Sequence, residues 1–349
     1  MSLSTGKIAE VLFDKTLETY EHQMQLLPLC SFEQPDGGTL QNAGNVVWKP
    51  VQQHALVISG WDMSGQETGI IEETYPCILG TPTNDFVQQR ADDLRDMSFW
   101  EKRGEQSGRR QATELNKQIA AAVALQGSLF VRSNATNGYA FIGAAQALMN
   151  ERQSMDSGRC FILNDRDTLL YATDLSGRET MNGRPETAYA KGQIGSQVAE
   201  FDVYTGSFLP NLVGGASPGA TVTGAQSFAP AGGSVNTATG IVTNVDYRSA
   251  DIPVSDSTGY NVGDKVTIGA LQSVGLADKT ATGQLMTFTV VAKPDAATLT
   301  IYPKPIAAVD PALSVLERAY ANVDVVIPNA AVVARLNIDA TNKTNLFWD

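Results

Sequence analysis

Between Glu200 and Glu317 the chain contains no glutamate. This gap constrains the fold more than any other feature. From about Gly214 the sequence is rich in Gly, Ala, Thr, Ser and Val, a mixture dominated by turn-forming and β-branched types rather than by long helix formers. Short apolar–polar alternations at Lys265–Ile268 and Thr287–Val291 are bounded by turn signals at Thr258-Gly259, Val262-Gly263-Asp264 and Lys293-Pro294-Asp295. They predict a small all-β domain of short strands. Helix-compatible sequence resumes at Leu316-Glu317-Arg318-Ala319-Tyr320, so this domain is expected to be inserted into a larger body. Nothing recurs at a fixed period, which excludes a repeat architecture.

The rest of the chain predicts an α+β body with two extended attachments. Lys7–Leu27 carries Ile8, Val11, Leu12, Leu17 and Tyr20 near helical spacing, with Asp14, Glu18 and Glu21 on a neighbouring face. Pro28 and the SFEQPDGG stretch end this helix. Such an arm has little core of its own and must pack on something else. Asn45–Ile58 and Ile70–Leu79 read as strands flanking the turn-like SGWDMSGQETG, together a long β-hairpin. A lone hairpin is marginally stable in water, so it too needs a neighbour.

Helical patterning follows. In TPTNDFVQQRADDLRDM, Asn84 or Asp85 is positioned to cap a helix with Phe86, Val87, Ala91 and Leu94 on its apolar side. Arg90, Asp92, Asp93, Arg95 and Asp96 mostly fall on its other faces. Gly104 and Gly108 read as a break, with Arg109-Arg110 as a basic turn. After them Ala112, Leu115, Ile119, Ala122 and Val123 predict a long spine helix. A further helix is expected over Tyr139–Glu151, and a short one after the cap residue Asn164.

The chemistry of common active sites is thinly supplied. The chain has 349 residues, enough for two or three domains, and a formal charge of −12 with a pI near 4.7. That balance speaks against a dedicated nucleic-acid binder, which sets basic charge against phosphate. Cys30, Cys77 and Cys160 are widely spaced, with no CxxC pair to suggest zinc or a disulfide framework. The polar MSLSTGK start has no hydrophobic signal core, and the longest wholly apolar run, Ile119–Leu125, is far shorter than the ~20 residues of a membrane span. A soluble, reduced protein made in the cytoplasm is expected. There is no phosphate loop, no HExxH and no EF-hand loop. His22 and His54 lie in the arm and the hairpin, away from any nucleophile. Glu72-Glu73 and Asp92-Asp93 fit solvated faces better than acid–base catalysis. Tyr320, Trp48 and Trp61 fit core or subunit-interface packing.

Seven segments carry a resemblance. VWKPVQQ from Val47, GWDMSGQETGIIE from Gly60, NDFVQQRADDLRD from Asn84, VTGAQSF from Val222, GDKVTI from Gly263, YPKPIA from Tyr302 and ERAYANV from Glu317 resemble, in the same order and with similar gaps, the major coat protein of short-tailed, P-twenty-two-like bacteriophages. The resemblance implies an α+β Hong Kong 97-type capsid fold with an N-terminal arm, an extended β-hairpin loop, a long spine helix and an inserted all-β, Ig-like or telokin-like domain. On that pattern residues 1–40 are the arm and 41–83 the hairpin loop. Residues 84–213 are the peripheral domain with the spine helix and part of the axial domain. Residues 214–316 are the β insert, and 317–349 return to the axial domain.

The resemblance implies a shell protein with no catalytic residues, cofactor or metal. Its implied partners are copies of itself in hexamers and pentamers, a scaffolding protein, a portal protein and a decoration protein, with DNA enclosed but not specifically bound and no membrane involved. Its implied location is the virion, after synthesis and assembly in the host cytoplasm. Asp14, Glu18 and Glu21 are the expected contacts for a basic scaffold helix. Arg90, Asp92, Asp93, Arg95 and Asp96 are expected in ion pairs within or between subunits, and Trp48 and Trp61 in hairpin-loop contacts. Two departures stand out. The family continues past Asp349, so the terminal Leu346-Phe347-Trp348-Asp349 reads as a strand cut at its start. The family's charged two-fold loop matches Ala231–Tyr247 here, which holds a single charge, Asp246, so an apolar or backbone contact is expected there. The alternative reading is a β-rich surface-binding module on a helical stalk, which a signal peptide or paired cysteines would favour.

Overall fold

The computed structural model describes residues 5–30, 46–52, 60–62, 64, 72–78, 82–86, 96–131, 138–153, 158–169, 171, 195–216, 220–223, 234–235, 238–246, 248–275, 281–305, 331–335 and 346–348. Helices and strands are mixed. The chain divides into one unit of residues 1–45, 78–123 and 208–210, and a second of 46–77, 124–207 and 211–349.

The first unit is built on two helices, α1 (Thr5–Gln23) and α2 (Met97–Gln126), the last three residues of α2 belonging to the second unit. Asp96 begins α2: its Oδ1 accepts from the Ser98 N–H and hydroxyl, both at 3.0 Å, as an N-cap does. Gly104 and Gly108 do not break this helix. They lie inside α2, on the face that receives α1. A methyl group at Gly108 would stand 2.6 Å from the Thr16 carbonyl oxygen, and one at Gly104 would stand 2.9 Å from Lys15 Cβ. Ala112, Asn116 and Ala120 continue the stripe at four-residue steps and are buried. The glycines are there because only a bare backbone lets α1 approach so closely. Arg109 and Arg110 therefore sit within a helix, not in a turn.

The second unit holds two β cores. A six-stranded antiparallel sheet has the order β6-β13-β10-β11-β12-β9, with β6 (Ala220–Thr221), β9 (Ala250–Pro253), β10 (Lys265–Val274), β11 (Ala281–Asp295), β12 (Thr298–Tyr302) and β13 (Ala331–Arg335). The expected strands at 265–268 and 287–291 fall in β10 and β11, paired Val266 to Phe288. Val222, Ile252, Val266, Ile268, Phe288, Val290, Leu299 and Ile301 fill the core. Two details differ from the sequence reading. The Lys293-Pro294-Asp295 turn signal lies within β11, at a register shift between Ala292 and Asp295 that accommodates a residue with no N–H to donate. The sheet also recruits β13, beyond the boundary placed at 316. Strand pairing across a long connection leaves no local sequence signal.

The second core is a four-stranded sheet, order β14-β3-β5-β4, under α3 (Gly138–Glu151). Its strands are β3 (Cys160–Leu163), β4 (Gly195–Val198), β5 (Phe201–Thr205) and β14 (Leu346–Trp348). Phe161 stacks edge-on against Phe141 and Phe201 at 5.7 and 5.6 Å, over buried Ile142, Ala145, Met149 and Val203. Asn164 caps the short helix at 165–169, as expected, by accepting from the Arg166 and Asp167 N–H groups. A separate pair, β1 (Val46–Gln52) with β2 (Glu72–Ile78), provides the hairpin strands, and β7 (Ser234–Val235) pairs with β8 (Val242–Thr243).

Candidate assembly surfaces

With its inner face spent on α2, helix α1 turns outward a row that includes Phe13, 66% exposed, and Leu17, 45% exposed. Asp14, Glu18 and Glu21 are exposed beside them. The three acids are not equivalent. Lys15 Nζ donates to Glu18 at 2.7 Å, and this bond lowers the Glu18 carboxyl and raises the Lys15 ammonium from their ordinary values. Asp14 is left beside Phe13 on the exposed row. The arm thus packs on its own chain, while its outer face stays available.

The inner face is closed by a residue that patterning missed. Asn116 is buried in α2, and its Oδ1 accepts from the Leu26 N–H at 3.3 Å while its Nδ2 donates to the Gln23 carbonyl at 3.2 Å. It completes the C-terminus of α1, whose last carbonyls have no intrahelical partner. The clue was the four-residue recurrence of small residues at 104, 108 and 112, which continues to 116.

Of the expected ion-pair group, Arg90, Asp92, Asp93 and Arg95 lie outside the described residues, and Asp96 is the cap of α2. The pair that is seen joins Asp85 to Arg103 at 2.7 Å, both side chains largely buried, with Arg110 at 3.7 Å from the same carboxylate. Asp85 is drawn to these cations, and the neighbouring Phe86 is 91% exposed; the rest of the helix expected here, with Val87, Ala91 and Leu94, lies outside the described residues.

Strand β2 is tied to the loop after β8. Thr74 Oγ1 donates to the Val245 carbonyl at 2.9 Å, and the Arg248 guanidinium lies 5.7 Å over the Tyr75 ring. Arg248 forks onto Asp246 through Nε at 3.0 Å and Nη2 at 2.8 Å. Those bonds hold the Asp246 carboxyl below its usual range. The single charge of the 231–247 stretch is thereby neutralised within the chain, while Ile241 and Val245 are exposed. Trp48 is half-buried on β1, and Trp61 stands fully exposed at a bend; the structure does not bring the two together into a described contact.

Among the described residues no three His, Cys, Asp or Glu side chains converge as a metal site, and no helix is long and apolar enough to cross a membrane. A sequence model described as "P22 coat protein - gene protein 5" matches residues 1–349. The chain belongs to the P22 coat protein family. It is therefore a phage capsid shell protein, working as many copies in a virion, and not an enzyme. Among solved structures, the chain is similar to the CUS-3 coat protein I-domain at 33% identity, covering 35% of this chain and 98% of that one with a TM-score of 0.27. A structure of Mycobacterium phage Che8 shows 16% identity over 54% of this chain and 75% of its own, TM-score 0.38. A virus-like particle from Pyrococcus furiosus shows 9% identity over 97% and 98%, TM-score 0.35. Family membership rests on the full-length match.

Proposed function

We propose that this coat protein is the major capsid subunit of a Hong Kong 97-type shell, assembling in hexamers and pentamers with a scaffolding protein into a procapsid that encloses the genome. The full-length family match carries this reading. Its proposed parts are an arm over 1–40, a hairpin loop over 41–83, a peripheral domain with the spine helix over 84–213, a β insert from 214 and the axial return that follows it. Portal and decoration proteins are its further proposed partners. A shell of many fitted weak contacts gains stability by multivalency while each contact stays reversible. The net charge of −12 suits a wall that confines DNA without gripping it. Electron microscopy of the purified protein, with and without scaffold, tests this: closed shells are expected, and their absence under both conditions rejects it.

Asp14, Glu18 and Glu21 are the proposed scaffold contact, with Phe13 and Leu17 as its apolar floor. A basic amphipathic helix fits such a face in both shape and charge. Because Glu18 already has Lys15, Asp14 is the acid with most to offer. Asp14→Lys is expected to abolish scaffold co-assembly, and normal scaffold content in the variant particles refutes the assignment. Trp61 is proposed to bury against a neighbouring subunit, and the exposed Ile241 and Val245 to make the apolar contact that replaces an ionic one. Arg90, Asp92, Asp93, Arg95 and Asp96 remain a proposed register-setting group, since exposed pairs contribute only about 0–1 kcal/mol each.

A further inference from the structure

Lys265 opens β10, and its ammonium is buried. Its Nζ donates to the Ala124 carbonyl at 3.0 Å, the Gly127 carbonyl at 3.0 Å and Thr289 Oγ1 at 2.7 Å. Thr289 Oγ1 also donates to the Gly127 carbonyl. An ammonium has three donors and no acceptor, so every N–H is used. Ala124 and Gly127 lie at the end of α2, where carbonyls lack intrahelical partners and the helix dipole is negative. The lysine is a helix C-cap supplied by a distant strand.

None of its partners is a carboxylate. Asp264, the preceding residue, gives its carboxylate to the Gly215 N–H at 3.1 Å and the Asn261 N–H at 2.8 Å. The segment 124–131 has no titratable side chain. In register with Lys265 are Thr289 on β11 and Arg335 on β13, and an arginine keeps its charge at any relevant pH. Lys293 and Asp295, further along β11, are exposed. A buried cation held only by neutral acceptors lacks the counter-charge that normally offsets lost hydration.

We propose that Lys265 is a releasable clamp, which holds the turn ending α2 against the six-stranded sheet and frees that turn when its ammonium swings into water. Three hydrogen bonds and the helix dipole close it; the hydration recovered by the ammonium opens it. These two contributions oppose each other. Burial pushes the ammonium down from 10.5 to about 8. The closed state thus favours the neutral amine relative to the open state, so closure strengthens as pH rises from about 8 toward 10.5 and is independent of pH below about 7. A coat subunit that must fit more than one position in a shell has a use for a joint that yields reversibly; only that purpose rests on the proposed function.

Hydrogen-exchange mass spectrometry of the full-length, unassembled chain tests the clamp. Peptides spanning 124–131 are followed from pH 7 to 9.5, with rates corrected for the intrinsic base catalysis of exchange. Wild-type protection is expected to rise roughly 10- to 30-fold over that range. Lys265→Met and Lys265→Arg should show no such rise, because neither side chain titrates there. A flat wild-type profile, or a rise that persists in either variant, overturns the proposal. Should Lys265→Met fail to fold, the wild-type profile and Lys265→Arg decide it alone.

Discussion

Replacing Gly108 by alanine sets helix propensity against packing, and the structure says which wins. In an exposed helix the change gains about 1 kcal/mol, since alanine loses less backbone entropy. At Gly108 the added methyl would lie 2.6 Å from the Thr16 carbonyl oxygen, 2.9 Å from Thr19 Cβ and 3.1 Å from the Tyr20 nitrogen. None of these atoms is the free end of a flexible side chain, so α1 itself must move away. Overpacking of this kind costs about 1–3 kcal/mol, and a clash with backbone belongs at the upper end. Subtracting the propensity gain leaves a net loss of about 2 kcal/mol. Gly143, inside α3, is the internal control, because a methyl there meets nothing within 4 Å. Gly143→Ala should stabilise by about 1 kcal/mol. Urea titrations of the unassembled chain measure both, with fluorescence from the buried Trp100 reporting on α2. Opposite shifts of the two midpoints are expected. If Gly108→Ala raises its midpoint as Gly143→Ala does, α1 does not rest on this face.

Asn116→Ala should cost about 1–3 kcal/mol by leaving the Leu26 N–H and Gln23 carbonyl without their partner; the same titration reads it, and an unchanged midpoint contradicts the capping role. The turn joining β4 to β5 holds two non-glycine residues at positive φ, Ala199 at 48° and Glu200 at 66°. Ala199→Gly should therefore stabilise by about 1 kcal/mol, seen as a higher thermal midpoint, while a lower one would show that the methyl packs usefully. The Asp246 carboxyl, lowered by Arg248, stabilises the fold at pH values above the ordinary carboxylate range and loses that contribution as pH falls through its lowered value. Both side chains are more than a third exposed, so the effect stays below about 1 kcal/mol. Asp246→Asn should be slightly less stable than wild type at pH 7, and the difference should shrink as acid protonates the carboxyl; a difference that stays constant as pH falls counts against the pairing.

Local patterning recovered much of the second unit and less of the first. The strands around Val266 and Phe288, the helix at Gly138–Glu151 and the Asn164 cap were legible because each follows from residues within one or two turns of each other. Gly104 and Gly108 were misread for the converse reason. A glycine pair in isolation looks like a break, and only the partner helix shows that the missing side chains make room. Asp85, legible as a cap candidate, is also the partner of Arg103, a contact that patterning within one segment does not show. The proposed assembly face was half visible: the acids of the arm stood out, but which side of α1 remained free depended on where α2 lay.

The sequence by itself determined the alternation of helical and β segments, the acidic balance and the thin supply of histidine and cysteine, since these depend on composition and short periodicities. Only the tertiary structure decided that β13 joins the sheet beyond residue 316, that Asp246 is neutralised by Arg248, and that Asn116 and Lys265 cap helices to which they do not belong. Each of those is a contact between residues far apart in the chain. Burial then turns an ordinary polar side chain into one whose hydrogen bonds must be met, and that requirement cannot be read before the partner is in place.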